Sequence, residues 1–134
     1  MKRILLAVLA AAVVTAGCAD PVAPVAPTPA VATLTDTFSD TLLQFGANTH
    51  QFTVTVVGNV KVTLDSVEPG AAVGLGIGTP SFGSCTIVDK VQTVASAGVQ
   101  LSGTATVPGS FCVSVYDLGN LVEPAVYKIT VLHS

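Results

Sequence analysis

Alternating polar and apolar positions dominate the chain from residue 34 onward. Residues 51–56 read QFTVTV and residues 60–65 read VKVTLD, with a turn-forming VGN between them. A period of two is typical of strands that bury one face, and two such runs around a short turn predict a β-hairpin over residues 52–64. Residues 73–78, VGLGIG, keep the alternation but place glycine on one face, which leaves room for close packing or marks a weak strand.

Three further runs, over residues 99–107, 111–116 and 125–132, complete the pattern. In the middle run, Phe111, Val113 and Val115 share one face, which we expect to build the core. The prolines of the domain all fall between runs, as strand pairing requires: Pro69, Pro80, Pro108 and Pro124. Seven or eight short strands without a helical period predict an antiparallel β-sandwich or barrel.

Composition and charge narrow the class of protein. The chain has 134 residues, of which 50% are hydrophobic and 10% are charged. Its many β-branched and turn-forming residues suit one all-β domain and not a disordered chain. From residue 18 onward, three lysines stand against eight acidic residues, a formal charge of −5. The chain has no basic stripe, which argues against nucleic acid as a partner.

The N-terminus predicts an export signal. Met1-Lys2-Arg3 is positive, and the apolar run ILLAVLAAAVV follows over residues 4–14. This run is too short for a mature transmembrane helix, which needs ~20 residues, but it suits the core of a signal peptide. Residues 15–18, TAGC, resemble the lipobox of bacterial lipoproteins, which implies cleavage before Cys18 and acylation of that cysteine. Leucine or valine is usual where Thr15 stands. Ordinary secretion with cleavage after Ala19 is the alternative.

We therefore divide the chain into three parts. Residues 1–17 are the lipoprotein signal peptide, residues 18–33 are a Pro/Ala-rich linker after the lipidated cysteine, and residues 34–134 are the domain. A proline-rich spacer extends by ~3.1 Å per residue, or up to ~45 Å here, and multiple acyl chains give stable anchoring. Alanine directly after Cys18 favours the outer membrane under enterobacterial sorting rules. The expected location is the cell envelope, with the domain facing the periplasm or the exterior.

The two remaining cysteines predict a disulfide. Outside the cytoplasm two cysteines in a small domain most often pair, so we expect a bridge between Cys85 and Cys112. If Phe111, Val113 and Val115 build the core, this bridge ties a loop over the outer face of the sheet. A zinc site is the rival interpretation, but the only histidines, His50 and His133, lack paired ligand spacing.

Four segments together resemble the bacterial pre-peptidase C-terminal domain. They are FTV at residues 52–54, GNVKVTL at 58–64, PGSFCVSVYD at 108–117 and YKITV at 127–131. The resemblance implies an exported, jelly-roll-like β-sandwich of the kind usually appended to secreted enzymes, some relatives of which bind collagen or calcium. No catalytic domain is attached here, so this chain is not expected to serve a peptidase within the same chain.

Candidate chemistry is sparse. Asp36 and Asp40 are the only close acidic pair near the domain start, whereas calcium takes six to eight oxygen ligands. We therefore expect solvated turn residues there, no metal site and no cofactor, with calcium as the remote alternative. No G-x-S-x-G motif is present, His50 precedes a strand, and His133 is next to last with no evident orienting partner. The sequence predicts no enzyme.

Two hypotheses for function remain. The first is a membrane-anchored binding or adhesion module for an envelope protein or extracellular polymer. Its contact loops would be residues 79–84 and 117–123, with Phe82, Leu118 and Leu121 as candidate contact residues, although each could instead pack under the sandwich. The second is a structural subunit of an envelope complex, held by strand addition at a sheet edge. A freely secreted accessory domain follows if the anchor is absent.

Overall fold

The computed structural model describes residues 22–134, apart from the side chains of residues 89–91. The predicted signal peptide and the predicted lipid anchor at Cys18 lie outside the described residues. Residues 22–33 are exposed and belong to no helix or strand. In the part of the chain that the structure describes, no helix is both long and apolar enough to cross a bilayer.

Eight strands form two four-stranded antiparallel sheets. They are β1 (Leu34–Leu42), β2 (Ala47–Val54), β3 (Gly58–Glu68), β4 (Val73–Ser81), β5 (Ser84–Ala95), β6 (Gln100–Ala105), β7 (Gly109–Tyr116) and β8 (Ala125–His133). The strand orders are β1-β8-β3-β6 and β2-β7-β4-β5. Successive strands change sheet at every connection except β4–β5, which is the topology of a jelly roll. The predicted all-β, jelly-roll-like sandwich is confirmed.

The predicted hairpin over residues 52–64 is wrong. Strand β2 pairs with β7, and β3 pairs with β8 and β6, so the chain between them crosses from one sheet to the other. The backbone N–H groups of Thr55 and Val56 donate to the carbonyl of Ser134, at 2.9 and 3.4 Å, and not to β3. Alternation shows which face of a strand is buried, but it does not select the strand's partner.

The hairpin that does form joins β4 to β5, across residues that we expected to be a loop. Thr79 and Pro80 lie in β4, and Pro80 is opposite Cys85. Pro80 was expected between strands. It is tolerated inside one because it lies beyond Gly78, the last β4 residue with a partner in β7.

The core lies between the sheets and follows the predicted faces. Val113 and Val115 are fully buried, and Phe111 packs against the same cluster. The inward residues of β4 alternate with glycines, as predicted. A Cβ at Gly74 would meet the Tyr116 ring, and a Cβ at Gly76 would meet the Ile87 side chain. The bare glycine face therefore receives side chains from the strands on either side of β4.

The loops divide between two ends of the sandwich. Leu34 pairs with His133, so β1 begins where β8 ends. We call this the tether end, because residues 22–33 enter the domain here; its loops are residues 55–57, 82–83 and 106–108. The opposite distal end carries the loops at residues 43–46, 69–72, 96–99 and 117–124.

Candidate functional site

One carboxylate organises the loops of the distal end. Asp117 follows β7, and its Oδ1 accepts backbone N–H bonds from Gly119, Asn120 and Leu121 at 2.9–3.2 Å. Its Oδ2 accepts the N–H of Phe45, in the neighbouring loop, at 2.7 Å. These bonds, that from Phe45 foremost, hold the pKa of Asp117 below its ordinary value because they stabilise the charged form.

Two further bonds join the same pair of loops. The N–H of Asp117 donates to the carbonyl of Gly46 at 2.9 Å. The Gln44 side-chain amide donates to the carbonyl of Leu121 at 3.0 Å. Residues 43–46 and 117–121 are therefore one hydrogen-bonded unit, so the backbone of each loop has a defined position.

Phe45 is the most prominent side chain of this unit. The N–H of Gly46 bonds to the carbonyl of Leu43 at 3.0 Å, which closes a β-turn with Phe45 at its third position. Phe45 has φ 57°, a left-handed conformation that favours glycine or asparagine. Its ring is nevertheless 85% exposed. An aromatic residue thus occupies a conformationally unfavourable position without burying its ring.

Other apolar side chains are exposed in the same two loops. Val122 is 87% exposed, and Leu43 and Leu118 are also exposed. We call these three residues and Phe45 the distal apolar cluster. Three exposed acidic residues lie at the same end: Asp40, Glu68 and Glu123. Exposed apolar side chains and acidic residues at the same end are suited to contact a protein surface that carries positive charge.

The structure separates the contact residues that the sequence suggested. Leu121 is 7% exposed and belongs to the core, so the predicted contact role for it is wrong. Leu118 is exposed at the distal end. Phe82 is fully exposed at the tip of the β4–β5 hairpin, which lies at the tether end. The two predicted contact loops are therefore on opposite ends of the sandwich and cannot form one surface.

The Cys85–Cys112 bridge is present. It joins β5 to β7 across β4, on the outer face opposite Val113 and Val115, with a Cα–Cα distance of 5.8 Å. Cys85 was expected in a loop, but it lies in the second residue of β5. The bridge therefore fastens the base of the hairpin that carries Phe82.

A polar seam lies where β1 faces β2, at the edge of the sandwich. The Tyr127 hydroxyl and His50 Nε2 are 2.6 Å apart, and the His50 ring stacks on Phe38 with centroids 4.8 Å apart. Burial lowers the pKa of His50, and Asp40 raises it by a smaller amount. Burial also raises the pKa of Tyr127 to about 12, so the phenol stays protonated and donates to Nε2 of neutral His50.

His133 lies in the same seam, although it is next to last in the chain. It is 3% exposed, and its Nε2 lies 2.9 Å from Asp36 Oδ2. Nδ1 of His133 has no hydrogen-bond partner among the described residues. Nε2–H of His133 donates to the Asp36 carboxylate, since a carboxylate only accepts. His133 has the orienting partner that the sequence did not reveal.

Asp36 and Asp40 are strand residues, not the turn residues that we expected. Both lie in β1, four positions apart, which separates them by about 13 Å in an extended strand. That distance is too large for the two carboxylates to bind one calcium ion. Among residues 22–134, no group of three or more histidine, cysteine or acidic side chains is placed to hold a metal.

Phe45, Leu43 and Val122 are the site residues that the sequence did not reveal. The signal was a phenylalanine directly before Gly46 in a short stretch, LLQFGAN, between two strands. An apolar residue in a turn is ordinarily attributed to the core. Only the folded structure shows that Phe45 is exposed and that Asp117 holds its backbone.

The comparisons support the fold. No model of a known protein family matches the sequence, and no curated protein matches it by sequence. A solved structure, a periplasmic inhibitor of g-type lysozyme (PliG) from Aeromonas hydrophila, is similar with a TM-score of 0.52 and 9% identity. The match covers 74% of this chain and 86% of that one. At this identity the likeness establishes a shared β-rich fold.

Proposed function

We propose that this chain is an exported, membrane-anchored envelope lipoprotein whose β-sandwich is a non-catalytic module that binds another protein at its distal end. The observation that carries the proposal is Phe45. Its ring is exposed and its backbone is left-handed. The Asp117 carboxylate fixes this backbone by accepting a hydrogen bond from the Phe45 N–H. Unfavourable backbone conformations persist where the surroundings determine them, and they cluster at binding sites.

The charge of the distal end indicates the chemistry of the partner. Asp40, Glu68 and Glu123 are exposed in the half of the sandwich that carries the distal apolar cluster, and the hydrogen bonds to Asp117 favour its charged form. A cationic protein surface would gain both steering and specificity from this arrangement. The similar periplasmic protein is an inhibitor of g-type lysozyme, so that enzyme is a rational first probe.

Export and anchoring are supported separately. The leader and the TAGC motif of residues 15–18 supply the sequence argument, and a disulfide is typical of an oxidising compartment. We also propose a pre-peptidase C-terminal type of domain, since its four sequence segments fall in β2, β3, β7 and β8. The acyl group on Cys18 would lie in the outer membrane.

Intact mass tests the anchor. The gene is expressed with its own leader in a diderm host, and the detergent-extracted protein is weighed before and after reduction and alkylation. We expect a chain that begins at Cys18 with added acyl mass and with no thiol reactive before reduction. A soluble product that begins at Asp20 would leave a freely secreted domain in place of the lipoprotein.

Paired variants test the binding site. Phe45→Asn removes the ring but suits the left-handed backbone, and Phe82→Asn is the matched control at the tether end. Binding of the lipidated protein to g-type lysozyme is measured for each, followed by crosslinking in intact cells through a photoreactive residue at position 45 or 82. We expect Phe45→Asn to weaken binding about 30-fold or more, the size of an interface hot spot, and Phe82→Asn to leave it unchanged.

The outcomes separate the competing functions. One repeated envelope protein crosslinked at position 45 supports protein binding, whereas recovery of an extracellular polymer would favour adhesion. Equal loss of binding in both variants would refute a distal site. A partner crosslinked along a sheet edge, with both phenylalanines dispensable, would support the structural-subunit alternative.

A further inference from the structure

The tether end also exposes apolar side chains, and nothing in the proposed function uses them. Phe82 is fully exposed in the β4–β5 turn, and Val107 is 61% exposed in the loop between β6 and β7. Val56 and Val57 are exposed in the crossover from β2 to β3. All three loops project from the same end of the sandwich.

Phe82 resembles Phe45 in being held where its backbone is disfavoured. Phe82 and Gly83 have φ values of 46° and 80° in a two-residue hairpin turn, which defines type I′. Asn-Gly is the preferred pair for this turn. The turn is defined by its own bonds, since the Ser84 hydroxyl donates to the carbonyl of Ser81 at 2.8 Å. The Phe82 ring therefore projects from the hairpin into solvent. No buried contact of the ring offsets the unfavourable backbone conformation of this residue.

Charge distinguishes this end from the other. The three tether-end loops read TVV at residues 55–57, FG at 82–83 and TVP at 106–108, with no charged residue. The exposed acidic residues Asp40, Glu68 and Glu123 lie at the distal end. An anionic lipid surface would meet no charged side chain in the tether-end loops, whereas it would be repelled by the carboxylates of the distal end.

The linker reaches the domain at this same end. Val31 and Thr33 of the linker line a shallow cleft with Asn59, Lys61 and Leu132. Fifteen residues separate Cys18 from Leu34. A lipid on Cys18 therefore brings a bilayer to the tether end before any other part of the domain.

We propose that the tether end rests on the bilayer that holds the anchor, with the rings and methyl groups of Phe82, Val57 and Val107 in the membrane interface. This inference rests on the proposed acylation of Cys18. It orients the domain, since contact at the tether end turns the distal apolar cluster away from the membrane and toward a partner.

The tether explains why so small an apolar surface would be enough to keep the domain in contact with the membrane. One phenylalanine and a few valines would bind a membrane weakly from solution. A short flexible connection raises the effective concentration of the loops at the surface to the millimolar range. The linker permits a separation of up to ~45 Å but does not impose it, so even weak insertion keeps the domain on the lipid.

Sole-tryptophan variants test the inference, because the natural chain contains no tryptophan. Phe82→Trp reports on the tether end, and Phe45→Trp is the matched control in the same backbone region at the distal end. Each full-length lipidated protein is reconstituted into vesicles of phosphatidylethanolamine and phosphatidylglycerol, with and without brominated phosphatidylcholine. Flotation and the mass of Cys18 are recorded for every sample.

We expect Trp emission from position 82 to shift to shorter wavelength and to be quenched by the brominated lipid, and emission from position 45 to stay unshifted and unquenched. Val107→Asp in the Phe82→Trp background should reduce the quenching while the melting temperature stays constant, since Val107 is an exposed loop residue. Acylated protein that floats with the vesicles but shows no quenching at position 82 would overturn the inference and leave the anchor standing.

Two other outcomes are decisive. Equal quenching at positions 45 and 82 would mean that the sandwich lies on its side, which contradicts an oriented domain. Protein that carries no acyl group and does not float would overturn the anchor, and the membrane contact with it.

Discussion

The two ends of this sandwich share one feature, an exposed phenylalanine in a turn, but the charge around that residue differs. Each exposes a phenylalanine from a turn that places it at positive φ, Phe45 at the distal end and Phe82 at the tether end. The backbone of Phe45 is fixed by a carboxylate from another loop, at the end that also exposes Asp40, Glu68 and Glu123. Phe82 is fixed by its own hairpin, without charge in the tether-end loops. We therefore interpret each exposed ring as a contact residue. The charge of its surroundings indicates the partner, which we propose to be a protein at the distal end and a bilayer at the tether end.

The largest expected effect concerns the bridge at the tether end. Removing it with Cys85→Ala and Cys112→Ala should lower the free energy of unfolding by about 3–4 kcal/mol, because the unfolded chain loses a constraint across 27 residues. Urea denaturation measures the loss. Hydrogen exchange should show the local effect in β4 and β5, with the Asp117 loop still protected. Equal loss of protection in β4–β5 and in the Asp117 loop would contradict the expectation that the bridge stabilises the tether end alone.

Two leucines of one distal loop should behave differently. Leu121→Ala should lower the free energy of unfolding by about 2–4 kcal/mol because the side chain is buried. Leu118→Ala, three residues earlier, should change it by less than about 0.5 kcal/mol, since Leu118 is exposed. Thermal melting of both variants checks the assignment of Leu121 to the core. Similar losses would mean that Leu118 is also a core residue.

Replacing either exposed phenylalanine by asparagine should stabilise the protein. Phe45→Asn and Phe82→Asn should each add about 1 kcal/mol, since asparagine tolerates the left-handed backbone and neither ring is buried. Chemical denaturation of the two variants and their combination gives the values, which should add because the ends are far apart. A destabilised Phe45→Asn would show that its ring packs against the Asp117 loop.

The smallest effect is a local response to acid at the distal end. The pKa of Asp117 lies below its ordinary value of 3.8, so its contribution to stability is present above that pH and is lost as pH falls through the lowered value. Amide exchange of Phe45 should accelerate in that range, while the amides of the Phe82 turn should not respond. In Asp117→Asn the Phe45 amide should exchange fast at every pH. A parallel response at both ends would point to global unfolding.

The strands, their buried faces and the disulfide were in part predictable from local sequence patterns. Alternation in the stretches that became β2, β3, β7 and β8 predicted those strands and their buried faces, because a half-buried strand must repeat with a period of two. The glycines of β4 predicted close packing on one face. The even number of cysteines left for the domain, together with export, predicted the Cys85–Cys112 bridge.

Strand partners and the exposure of single side chains depended on the tertiary structure. The pattern could not show that β2 and β3 belong to different sheets, because pairing depends on contacts far apart along the chain. Nor could it separate Leu121 from Leu118, or show that His133 meets Asp36 across 97 residues. The sequence by itself determined an all-β domain and predicted its bridge and an export signal, because these follow from local periodicity and composition. Only the tertiary structure decided that Phe45 and Phe82 occupy opposite ends, because that depends on how the strands run through both sheets.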